Sequence, residues 1–136
     1  MQAMVEESAE AAAALFQKLP ELAAADEPLI RRGRFLSTDL LVGIGTIPFF
    51  VTIVEGRIAR QERGPFLMRP WTLAIRGAAG AWTQFWQPMP KPGWHDLSAL
   101  AKRGEVSIEG DIRSFMANLQ YIKDLLALPR RLAQER

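Results

Sequence analysis

The chain has 136 residues, 49% of them hydrophobic and 24% charged, which fits one globular domain and excludes a disordered segment. It contains no cysteine, so disulfide scaffolds, thiolate zinc sites and cysteine nucleophiles are excluded together. Charge is unevenly placed: residues 1–30 hold one Lys and six Asp/Glu, giving −5, and residues 31–136 hold sixteen Lys/Arg and nine Asp/Glu, giving +7.

In chain order, residues 5–25 are rich in Ala, Glu and Leu and form a helical segment. Pro20 opens its second half, because proline is tolerated in the first turn of a helix. Met4, Leu15, Phe16, Leu19 and Leu22 supply a thin apolar stripe. The alanines at 13, 14 and 23–25 offer little side chain to bury, so a loosely docked element is expected. From Arg34 the period shortens to two. In RFLSTDLLVG, Leu36, Leu40 and Val42 share one face, and Gly43 and Gly45 break the run. Next, Phe49, Val51 and Ile53 point one way and Phe50, Thr52 and Val54 the other. Glu55-Gly56 signals a hairpin, and residues 57–63 return as a strand with a solvated, charged face. Gly64-Pro65 marks a loop, and Trp71, Leu73 and Ile75 alternate on a fourth strand.

Gly77–Gly80 turn the chain into a short helix near Ala81–Gln87. The three prolines between residues 87 and 93 exclude both helix and central strand there. Asp96 caps a helix through Lys102, and Gly104 ends it. Val106 and Ile108 face inward on a fifth strand. Asp111 then caps a single closing helix over 112–127, with Ile112, Phe115, Met116, Leu119, Ile122 and Leu126 at helical spacing and Pro129 as its stop. The tail PRRLAQER is expected to be mobile. These elements make an α+β protein: a curved, mostly antiparallel five-stranded sheet covered on one face by helices.

From Arg34 to Leu128 the order and residues resemble the sterol carrier protein type 2 domain family. The resemblance rests on WTLAIR leading to the apolar helix AGAWTQFW, then DLSALAKRG, EVSIEGD and IRSFMANLQYIKDLLAL, with Gly104, Val106, Ile108, Gly110 and Asp111 matching position by position. It covers about two thirds of the chain. The proline-rich 87–94 loop with Trp94 and the acidic helix at 1–25 depart from the pattern. The chain is therefore divided into an acidic helical segment at 1–29, a domain at 30–128 for which the resemblance implies lipid binding, and a basic tail at 129–136. It also implies a tunnel for a sterol, acyl chain or isoprenoid lipid, with no catalysis and no cofactor. Some members of that family act as accessory proteins in lipid or isoprenoid-quinone metabolism, which is the alternative role.

Trp71, Trp82, Phe85, Trp86 and Trp94 crowd into 24 residues. Trp82, Phe85 and Trp86 stand at i, i+3 and i+4, one large apolar face on a very short helix. They are either plain core or a cavity wall. As a cavity, its walls are Trp82, Phe85 and Trp86 on one side and Phe115, Leu119 and Ile122 on the other, with Phe49, Val51, Leu73 and Ile75 as the floor. His95, Asp96 and Ser98 do not make a triad, since adjacent residues diverge and no nucleophile elbow is present. A single His and no Cys leave carboxylates as the main metal ligands, and Asp111 reads as a helix cap rather than a ligand, so no metal site is expected. Arg31, Arg32 and Arg34, with Arg130 and Arg131, are either solvated chain ends or a transient contact with anionic membrane. Nucleic acid is not expected, because the aromatics fall on alternating core faces. Glu6, Glu7 and Glu10 with no early cation are unlike a secretory signal, so a cytoplasmic location is expected.

Overall fold

The computed structural model describes residues 2–134, with side chains from Ser8 to Leu132. The Met4 side chain, assigned above to the apolar stripe, and the side chains of Glu6 and Glu7 lie outside the described residues. Three helices come first: α1 (Gln2–Phe16), α2 (Leu19–Ala24) and α3 (Glu27–Arg32). Pro20 sits in the first turn of α2. Helix α3 is absent from the sequence reading, although its signal is present. The Asp26 carboxylate caps it by accepting from the Leu29 N–H, and Pro28 occupies its first turn.

A meander follows: β1 (Thr38–Ile44), β2 (Ile47–Val54) and β3 (Arg57–Arg63). Glu55 and Gly56 both take positive φ, 50° and 81°, so the predicted hairpin turn is of the twist-matching kind. Gly43 does not break β1, which runs on to Ile44 and turns at Gly45 (φ 60°). Then come β4 (Leu73–Gly77), α4 (Ala79–Phe85), α5 (Leu97–Lys102) and β5 (Val106–Gly110). Asp96 caps α5 through the Ser98 N–H, and Asp111 caps the next helix through the Ser114 N–H, both as the sequence indicates. The expected single closing helix is two, α6 (Ile112–Ala117) and α7 (Leu119–Ala127). Asn118 leaves helical geometry at φ −121°, and its side-chain amide donates to the Ser114 carbonyl, the local competition that makes Asn a poor helix interior. Pro129 ends α7 but also opens a last short helix, α8 (Arg130–Gln134), where a mobile tail was expected.

The strands form one sheet in the order β3-β2-β1-β4-β5. Three of its pairings are antiparallel and β1–β4 is parallel, so the sheet is mixed. The parallel pair arises because residues 64–72 carry the chain from the β3 edge across the sheet to the far side of β1. Register aligns Leu40, Val51 and Leu73 in one row, and Val42, Phe49 and Ile75 in the next. All six are buried, and this face carries the helices. The opposite face is covered by the crossing segment instead: the Phe66 ring meets Phe50 edge-on at 5.8 Å, and the Arg69 guanidinium stands 3.9 Å from the Phe50 ring. Trp71 belongs to that face, beside Leu41, Phe50 and Arg76, and not with Leu73 and Ile75 as strand alternation suggested. It precedes β4 and is therefore free of the pleat.

Candidate functional site

Helix α4 delivers its aromatic face into the layer between sheet and helices. Ala78 enters in extended geometry, and the turn from Ala79 brings Trp82, Phe85 and Trp86 inward, all buried. Each indole spends its one donor on a main-chain carbonyl. Trp82 Nε1 donates to Gly43 O at 2.9 Å, and Trp86 Nε1 to Leu126 O at 2.7 Å. These bonds tie α4 to β1 on one side and α7 on the other while leaving no unpaired indole N–H in the apolar layer. Trp82 and Trp86 stack at 5.3 Å, and Phe85 meets Trp82 edge-on at 6.0 Å.

Phe16, which the sequence reading left out of the site, completes the cluster. It lies 4.9 Å from Phe49 and 6.1 Å from Trp86 and is fully buried. Helix α1 is therefore closely docked, contrary to expectation. Ala9, Ala12, Ala13 and Phe16 are its inward stripe, and the alanines are an advantage, since a side chain of one carbon lets the helix approach α4 and the sheet. The i, i+3, i+4, i+7 spacing puts the four on one face, but a face of three alanines does not by itself say that it is covered. At its edge Glu10 forms a two-bond ion pair with Arg63, 3.0 and 2.5 Å, and Gln61 Nε2 donates to Phe16 O.

The structure brings all ten residues of the sequence-derived site into one layer. Phe49, Val51, Leu73, Ile75, Trp82, Phe85, Trp86, Phe115 and Ile122 are buried in a single cluster, and Leu119 packs partly buried against it. Tyr121, also unpredicted, enters the same cluster, and its hydroxyl donates to Gly56 O at 2.7 Å. Burial pushes the Tyr121 phenol up to about 12.

Polar chemistry lies at the rim. Groove one, about 370 Å³, runs between α3 and α7; groove two, about 330 Å³, runs between α7 and the segment before α5. They share Asp124, Ala127 and Arg130, and Phe85 lines the second. Burial would raise the Asp96 carboxyl, but the Lys123 ammonium at 2.7 Å and the Ser98 N–H hold it below its usual value. Asp96 is thus committed as cap and ion pair. His95 is exposed, and among the described residues no hydrogen bond joins the side chains of His95, Asp96 and Ser98. Among the described residues no three His, Asp or Glu side chains are grouped so as to hold a metal ion, and no helix is long and apolar enough to cross a membrane.

Neither a family model nor a curated protein sequence matches this chain. Solved structures do. A crystal structure of sterol carrier protein 2 superposes with a TM-score of 0.69 at 15% identity, covering 86% of this chain and 94% of its own. The chain has a sterol carrier protein 2-like fold. A suggested sterol carrier protein from Thermus thermophilus agrees at TM-score 0.70 and 12% identity, over 88% of this chain and 87% of that one. A UbiJ-SCP2 ubiquinone synthesis protein agrees at TM-score 0.55 and 17% identity, over 88% and 90%.

Proposed function

We propose that this chain is a non-catalytic binding protein for a hydrophobic small molecule, an acyl chain, a sterol-like molecule or an isoprenoid lipid, held in the layer between sheet and helices. The observation that carries the reading is the aromatic cluster of Phe16, Phe49, Trp82, Phe85 and Trp86 on a sterol carrier protein 2-like fold. Helix α1 roofs it. Among the described residues its docking face is Ala9, Ala12, Ala13 and Phe16 with Leu15 beside them, and its polar ties to β3 come from Glu10 and the Phe16 carbonyl, so in this reading α1 lifts to admit the ligand. In this reading Phe49, Val51, Leu73 and Ile75 floor the site, and Phe115, Leu119 and Ile122 face the aromatic wall.

Burying about ten methylenes at ~0.8 kcal/mol each yields a gross ~8 kcal/mol. The costs of association and of moving α1 reduce that to micromolar binding or weaker, suited to transient transfer. Titration with a fluorescent fatty acid tests the reading. The ligand is expected to quench tryptophan emission, and Trp86→Ala and Leu119→Trp to shift its affinity about tenfold, or 1.4 kcal/mol. The two act oppositely on volume, so long and short chains respond differently. Folded variants that bind acyl chains, sterols and quinones just as the parent does would remove the site from this layer. Cleavage of acyl esters by the purified protein, abolished by His95→Ala, would overturn the non-catalytic half.

A second reading, an accessory protein of lipid or isoprenoid-quinone metabolism, is supported by the likeness to a ubiquinone synthesis protein and by Leu67 and Met68, which the crossing segment leaves 89% and 93% exposed. A quinone that binds while acyl chains do not favours it.

A further inference from the structure

The two grooves along α7 carry an unusual arrangement of charge. Three carboxylates line them, and each is committed: Asp26 to Arg131 (2.9 Å) and the Leu29 N–H, Asp96 to Lys123 and the Ser98 N–H, and Asp124 to Arg32 and Gln120. The fourth cation, Arg130, lines both grooves and has no carboxylate partner among the described residues. Its Nε and Nη2 donate to Phe85 O at 3.0 and 2.6 Å, and Nη2 also reaches His95 O at 3.3 Å. Carbonyl oxygens orient a guanidinium without neutralising it. Arg130 is only partly exposed, and its guanidinium carbon stands 5.1 Å from the centroid of the Phe85 ring. Among the described residues nothing accepts from Nη1. A fixed, partly desolvated guanidinium with spare donors is what binds a carboxylate or phosphate in a two-bond fork. Apolar side chains line the same grooves: Leu29, Leu97 and Leu128, all buried, and the half-buried Ala127. Phe85, whose carbonyl holds Arg130, is the residue before Trp86, so the cation and the aromatic cluster share one helix end.

We infer that Arg130 is the anchor for an oxyanion, carboxylate or phosphate, carried at the polar end of an amphiphilic ligand. The inference rests on the proposed lipid-binding role and narrows it. A neutral sterol or quinone leaves the guanidinium unused, whereas a fatty acid or a phosphate-headed lipid pairs it.

Dodecyl phosphate, dodecanol and inorganic phosphate, all below the micelle concentration of the first, separate the possibilities by calorimetric titration. The parent protein is expected to bind dodecyl phosphate at least tenfold more tightly than dodecanol, and that preference should weaken with added salt. Arg130→Gln is expected to erase the preference and leave dodecanol binding unchanged, which also shows the variant folded. Arg130→Lys should keep part of the preference, and Arg113→Gln, on exposed α6 surface, all of it. Equal affinity of the parent for dodecyl phosphate and dodecanol overturns the inference while the lipid-binding reading stands. Inorganic phosphate binding as tightly as dodecyl phosphate, with loss in Arg130→Gln, makes the site one for a free anion and overturns the amphiphile. If neither dodecyl compound binds, the lipid-binding reading falls and the amphiphile with it.

Discussion

At the scale of single residues, Tyr121 and Gly33 form a lock that joins three elements. The Tyr121 ring lies against the backbone of Gly33, and its hydroxyl reaches the Gly56 carbonyl at the hairpin. A methyl group on Gly33 would collide with that ring, so Gly33→Ala is an overpacking mutation at a position whose φ, −94°, is ordinary. It is expected to cost about 1–3 kcal/mol in urea unfolding. An unchanged midpoint would mean that the ring moves aside freely and locks nothing. Tyr121 is the chain's only tyrosine, so its phenolate absorbance reports one group. Burial holds the neutral form, raising the folded pKa to about 12 from the ordinary value of 10.0. The folded chain therefore keeps its proton longer than the unfolded chain. The stabilisation is complete below pH 10 and is lost as pH rises towards 12. A phenolate titration midpoint near 10 in the native protein would show the hydroxyl to be in contact with water.

At the scale of elements, α1 decides how the aromatic layer behaves. Phe16→Ala removes the ring between Phe49 and Trp86, and a fully buried Phe→Ala change costs about 3–5 kcal/mol. The void opens against the proposed ligand wall, so the variant is also expected to bind a fluorescent acyl probe faster in stopped-flow mixing. Lost stability with an unchanged association rate would mean that ligand enters elsewhere than under α1. The helix itself was legible as a helix. Its docking was not, because alanine reads as weak burial in a sequence, whereas in the fold its small size permits the close approach that buries Phe16. The closing helix erred in the other direction: Ile112 to Leu126 keep a helical period across Asn118, yet the backbone breaks there. Ile112 and Met116, counted as core by period, are exposed on α6.

At the scale of the whole molecule, the charge division seen in composition becomes a set of contacts. The acidic leading segment pairs with the basic body through Glu10–Arg63, Glu27–Arg57 and Asp26–Arg131. The front of the chain thus masks part of the +7 behind it. Weak attraction to anionic vesicles is expected at low salt, largely gone near physiological ionic strength, where the Debye length is about 8 Å. Glu10→Gln with Glu27→Gln frees Arg63 and Arg57 and should strengthen it in a vesicle co-sedimentation assay. Equal binding to neutral and anionic vesicles would assign the attraction to exposed apolar residues such as Leu67 and Met68 instead.

Local interactions reach about four residues, and what they encode could be read directly. The strand alternation of β2, the Glu55-Gly56 turn, the caps at Asp96 and Asp111 and the i, i+3, i+4 aromatic face of α4 all depend on neighbours in the chain. They were enough to suggest the fold and to name ten residues that share one buried layer. The parallel β1–β4 pairing, the placement of Trp71 on the far face, the docking of α1 and the isolation of Arg130 among carbonyls were settled by tertiary structure alone. Each depends on which surfaces, tens of residues apart, compete for the same neighbour, and side-chain size and charge decide that competition only after the sheet has brought the competitors together.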